Sequence, residues 1–165
     1  MLVYHPAFDV YHGVFRALLL LENVPNKSMP FDALRIVDLY FLFPYLLADF
    51  EFPRGAGRRG RQLAGTRSRF NTLPSPRTFV SQMQGLHKLI SAALAGRGLI
   101  RADALKDGNV ERTDNAVPEE LLRQATPEDT VLASYLGSTL ATIPLLGKDG
   151  LKARSKLMEF RYDPT

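Results

Sequence analysis

The chain has 165 residues, 45% of them apolar and 23% charged, a balance that supports one hydrophobic core and excludes a disordered or fibrous protein. It has no cysteine, which excludes disulfides, zinc–thiolate sites, iron–sulfur clusters and thiol nucleophiles. The net charge is +4, yet six arginines and no acid lie between Arg54 and Arg69, so the remainder is net acidic and the basic character is one local patch.

The N-terminus lacks the basic start and small-residue cleavage site of a signal peptide. Leu18 to Leu21 is much too short to span a bilayer, and the longer run from Leu39 to Ala48 is interrupted by Pro44. The expectation is a soluble, cytoplasmic protein with no membrane contact.

Taken in chain order, the first element is an amphipathic helix over 10–22, with Val10, Val14, Leu18 and Leu21 at helical spacing and Phe15 and Leu19 widening the stripe. Asp9 is the expected N-cap, and Asn23 to Pro25 the stop. A second helix over 32–48 is apolar on nearly every side, and Pro44 should kink it or end its regular part. Four glycines, three prolines and the arginine run then predict a loop over 51–76. Next, Phe79, Met83, Leu86, Ile90 and Leu94 predict one helix ended by Gly96 or Gly98. The stretch "GLIRADALKDGNVERT" alternates around Ile100, Ala102 and Ala104, turns at Asp107-Gly108 and returns through Val110, which predicts a hairpin. Helix, Gly-Leu-Ile and hairpin follow one another as the third helix and wing of a winged-helix domain do.

Pro118 followed by Glu119 and Glu120, and Thr126 followed by Pro127 and two acids, start two further helices, with Pro144 ending or bending the second. Met158, Phe160 and Tyr162 alternate as in a short closing strand. These elements predict a mainly α fold with a small β-hairpin, a winged-helix-like domain with extra N- and C-terminal helices. It forms a single domain over 1–165: N-terminal helices over 1–50, an Arg/Gly/Pro-rich loop over 51–76, helix plus wing over 77–114, and C-terminal helices with a short strand over 115–165.

Candidate chemistry is sparse. His5, Asp9 and His12 could supply metal ligands, but their spacing matches no recognised metal motif, and capping accounts for Asp9. His87 has no serine or cysteine nucleophile placed beside it in sequence and reads as a partly exposed helix residue. "GAGRRG" at Gly55 to Gly60 has no Gly-Lys-Ser/Thr and no helix expected to open at it, so it does not read as a phosphate cradle. Arg54, Arg58, Arg59, Arg61, Arg67 and Arg69 can pair with nucleic-acid phosphates without reading bases; a solvated loop or a contact with an acidic protein surface explains them equally well. No aromatic residue is interleaved with them to stack on bases. No catalytic residue, cofactor or metal is expected.

Several stretches together carry a resemblance: "YHPAFDVYHGVFRALLLL", "LRIVDLYFLFPYLL", "LPSPRTFVSQMQ", "LAGRGLI" and the terminal "FRYD". In that order they resemble the small middle components of bacterial ABC-type three-component systems. The resemblance implies a non-enzymatic subunit that works beside an SMC- or ABC-like ATPase and an effector, often a nuclease, as in Lamassu-type anti-phage and anti-plasmid defence. It also implies that Tyr4, His5, Pro6, Asp9, Tyr11, His12, Asp38, Tyr40, Phe43 and Pro44 determine fold or interfaces. The expectation is an adaptor that docks through Phe15, Leu18, Leu19 and Leu21 of the first helix and touches DNA through the arginine loop. The alternative is a free-standing winged-helix regulator, with Ser81, Gln82, Gln84, His87 and Lys88 on its recognition helix.

Overall fold

In the computed structural model, which describes residues 8–65 and 75–161, the chain is built around helix α1, Val10–Glu22. Its N-terminus is fixed as capping chemistry dictates: the Asp9 carboxylate accepts from the backbone N–H of Tyr11 at 2.9 Å and of His12 at 3.3 Å. From Gly13 to Leu21 every residue of α1 is buried. The reason is three-sided packing, with α2 (Phe31–Leu42), α5 (Gln84–Gly96) and α8 (Pro127–Ser138) all lying against α1. Gly13 permits the closest approach, since a Cβ there would collide with the Ile90 side chain of α5.

This overturns the docking role expected of the first helix. Phe15, Leu18, Leu19 and Leu21 are 4%, 1%, 8% and 0% exposed, covered by other helices of the same chain. They form the core, and little of their apolar surface is left exposed.

Helix α2 is buried from Ala33 to Phe41. The helix expected over 32–48 stops being regular at Leu42, because a residue before proline is driven out of the helical region: Phe43 takes φ −130°, ψ 71°. A 3₁₀ turn over Pro44–Asp49 follows.

The architecture is mainly α with one small antiparallel pair, β1 (Ser28–Pro30) with β2 (Asn109–Glu111), in the register Met29↔Val110. The strand partner differs from the expected hairpin. β1 comes from between α1 and α2, while of the Ile100 to Ala104 alternation only Ile100 makes a bridge, to Arg112. Ala102–Lys106 forms helix α6 instead, since Ala, Leu and Lys are strong helix formers and Asp103 sits in its first turn. The expected turn does form, with Gly108 at φ +82° and its carbonyl accepting from the Phe31 N–H at 2.8 Å.

The helix expected over 77–96 is divided at Met83 into α4 (Pro76–Gln82) and α5; Met83, Ile90 and Leu94 still face the core. The segment expected as a loop over 51–76 contains α3, Gly57–Ala64. After α7 (Glu119–Leu122), helix α8 opens on a capping box between Thr126 and Asp129. Helix α8 ends at Ser138, ahead of Pro144. The closing strand is not formed over 156–161: α9 (Leu151–Ser155) ends in a left-handed Lys156, Leu157 packs into the core, and no strand lies alongside to pair with among the described residues. Tyr162 lies outside the described residues.

Since α1 is core, Phe15→Ala should lower unfolding free energy by about 3–5 kcal/mol, because the ring's packing is removed and a cavity is left behind. Urea denaturation of the isolated protein measures this; a stability within about 1 kcal/mol of wild type would contradict the enclosed position of α1.

Candidate functional site

Helix α3 explains why the arginine segment was unreadable as a helix. Its buried positions are Gly57, Gly60, Leu63 and Ala64, spaced i, i+3, i+6, i+7, so glycine occupies half of the stripe that hydrophobic periodicity normally marks. The glycines are there for proximity: a Cβ on Gly60 would strike the Phe52 ring and the Tyr135 hydroxyl. Packing the backbone this closely against the Pro44–Asp49 turn and α8 leaves Arg58, Arg59 and Arg61 on the outer side. Arg54, just before Gly55 at φ +85°, is exposed as well. None of these four makes an ion pair among the described residues, and the Arg61 guanidinium lies 5.9 Å from the centre of the Phe52 ring. Arg67 and Arg69 lie outside the described residues, as do Tyr4, His5 and Pro6. A helix does open at the "GAGRRG" stretch, although the Gly-Lys-Ser/Thr of a nucleotide cradle is still lacking.

A second polar constellation lies in the core. Asp38, on the buried face of α2, accepts from Arg16 Nε at 2.7 Å and Nη2 at 3.0 Å, a two-pronged pair, and from His87 Nε2 at 2.9 Å. Arg16 is 0%, Asp38 3% and His87 2% exposed. His87 is therefore not the partly exposed residue that its place in the sequence implied; it is on the inner face of α5. Arg16 also donates to His12 Nδ1 at 2.7 Å, which fixes the neutral tautomer of His12 with its proton on Nε2. Burial would raise the Asp38 carboxyl, but the Arg16 charge and the hydrogen bonds from His87 and Arg16 hold it well below the usual carboxylate range. Burial, then the Arg16 charge, lowers the imidazole of His12.

An aspartate on a histidine invites comparison with a hydrolytic triad, and Ser91 stands one turn beyond His87. Ser91 Oγ makes no hydrogen bond to His87, and both side chains are closed off from solvent. The geometric requirement of nucleophile on base is not met. Among the described residues no group of three or more His, Asp or Glu side chains is placed to hold a metal ion. His12, once a candidate ligand, is occupied by Arg16.

The chain matches the family model described as ABC-three component (ABC-3C) system Middle Component 5 over residues 2–163, and it belongs to that family. No curated protein and no solved structure matches it.

The buried cluster contributes to stability against acid. Asp38 is depressed below 3.8, so the unfolded chain binds its proton first; the stabilisation is complete above pH 3.8 and is lost as pH falls below it. His12 is depressed below 6.5, so its contribution begins to fade near pH 6.5 on acidification. Thermal melts from pH 8 to 3 should therefore show a shallow loss and then a steep one, with His12→Gln removing only the first. Asp38→Asn leaves the buried Arg16 charge uncompensated and should cost about 3–5 kcal/mol at pH 7.

Proposed function

We propose that this middle component is a non-catalytic adaptor, bridging an SMC- or ABC-type ATPase and a nuclease-like effector in a cytoplasmic anti-phage and anti-plasmid complex of the Lamassu type. The observation that carries this reading is the family match, which spans nearly the whole chain and names the component by its place among three. The core cluster supports a non-catalytic role, because its carboxylate, guanidinium and imidazole are bound to one another. A winged-helix-like core is supported by the element order: α1, β1 and α2 come first, and α5, the Ile100 bridge and β2 follow, with β2 pairing to β1.

DNA contact is assigned to Arg54, Arg58, Arg59 and Arg61, with Arg67 and Arg69 following in sequence. An exposed set of guanidiniums on a short helix and its lead-in suits the phosphate backbone, which is bound by charge without base reading. The partner contacts are assigned away from the leucines of α1, which are enclosed.

Co-expression with the two neighbouring genes tests the adaptor reading. The chain should elute in a stoichiometric complex with the ATPase and the effector; elution alone as a dimer that shifts a specific promoter fragment would replace this reading with that of a regulator. For the DNA contact, replacing Arg54, Arg58, Arg59 and Arg61 by Ser should weaken binding of the complex to any duplex sequence. The slope of log affinity against log salt should shrink by about 0.9 for each phosphate that is no longer neutralised. An unchanged slope in a fluorescence-anisotropy titration would sink that assignment.

A further inference from the structure

A recess of about 270 Å³ opens between α5, the start of α2 and the α6 turn, lined by Phe31, Lys88, Ser91, Leu105 and Gly108. Part of its wall is tied together by backbone hydrogen bonds. Phe31 lies 6.0 Å from the Arg35 guanidinium and donates its N–H to the Gly108 carbonyl at 2.8 Å, and the Gly108 N–H returns to Leu105 at 3.0 Å. Two apolar side chains, Phe31 and Leu105, share the lining with two polar ones, Ser91 and Lys88. Ser91 is 1% exposed and its hydroxyl has no hydrogen-bond partner, an omission that costs free energy in a native interior. Lys88 is the charged residue of the lining; it is exposed and makes no ion pair among the described residues.

The volume falls below the roughly 300–1,000 Å³ of small-molecule sites, and is that of a socket for one large side chain. On the outer side of α5, Leu89 is 59% exposed, and Gln84, Gly85, Lys88 and Ala92 are exposed as well. A single side chain in a pocket, ringed by flatter contact, is how an interface anchor is usually held.

We propose that this recess receives a tyrosine side chain of a partner protein, whose ring packs on Phe31 and Leu105 while its hydroxyl hydrogen-bonds Ser91. A carboxylate of the same partner segment pairs with Lys88. Phenylalanine would leave Ser91 unsatisfied, and an aliphatic side chain would lack the reach of a ring carrying a terminal hydroxyl. This rests on the reading of the chain as a subunit of a complex, and it places the contact on α5, away from the arginines of α3.

Two measurements test it, and the first does not depend on any partner. With the full-length protein followed by NMR, p-cresol, the tyrosine side-chain analogue, should shift the amides of Ser91, Leu105 and Gly108. It should do so at roughly fivefold lower concentration than toluene, the equivalent of one hydrogen bond, and Ser91→Ala should abolish that preference. Toluene binding equally well, or neither compound moving these amides, overturns the socket. Secondly, in the complex purified with the neighbouring subunits, Leu105→Trp fills the recess and Lys88→Glu reverses its charge. Each should weaken association with one subunit about tenfold, while melting temperatures confirm folding. If p-cresol binds but both variants assemble with wild-type affinity, the recess serves a free aromatic ligand and the partner assignment fails. If the wild-type chain forms no complex, the adaptor reading and the partner assignment fail together, whereas the NMR titration still decides the socket.

Discussion

The paired charges of Arg16 and Asp38 are the constraint around which the other elements are arranged. Taking two ions out of water is costly, and their mutual attraction repays it only with near-ideal geometry and all remaining polar atoms engaged. Here the geometry is two-pronged, at 2.7 and 3.0 Å, and His87 takes the second oxygen of Asp38 at 2.9 Å. Because Arg16 is on α1, Asp38 on α2 and His87 on α5, the three helices can meet in one register only. Sliding α1 or α2 by a turn would strand a charge in the core, and sliding α5 would take the His87 donor away from Asp38. A purely apolar interface among leucines carries no such penalty for slippage, so register here rests on the ions and packing density on the leucines.

Enclosing α1 leaves the exposed side chains of other elements as the chemically available ones. The leucines that make this helix look like a docking element are buried in the same core as the ion pair. Among the exposed surfaces are α3, with its arginines, and the outer side of α5, with Leu89 exposed and Lys88 lining the recess.

Much of the frame was legible because it depends on neighbours in sequence. Asp9 capping α1, Pro44 ending α2, and the Thr126–Asp129 box opening α8 are each decided within a few residues. What was not legible depends on distance along the chain. Arg16 and Asp38 are 22 positions apart, and Asp38 and His87 are 49 apart. A signal was nonetheless present: Asp38 lies amid Leu34, Ile36, Val37, Leu39 and Phe41, and an acid among buried apolar residues requires a buried cation. The hairpin over Ile100 to Val110 keeps its Ile100–Arg112 bridge, but Ala102–Lys106 is helical because two of the alternating positions are alanines, which favour a helix at least as much. Helix α3 was hidden because glycines mark its inner side.

Helix α2 relates the two exposed surfaces. Its first residue, Phe31, forms a wall of the recess, and the 3₁₀ turn that follows its last residue is the surface on which α3 packs. Twelve helical residues at about 1.5 Å each hold the two ends about 18 Å apart. Asp38 pins the intervening helix to α1 and α5, so neither end can move along the axis without breaking the ion pair. The spacing between the basic helix and the α5 recess is thus set by the same buried carboxylate that fixes the core. The two surfaces lie at opposite ends of α2, so covering one leaves the other open.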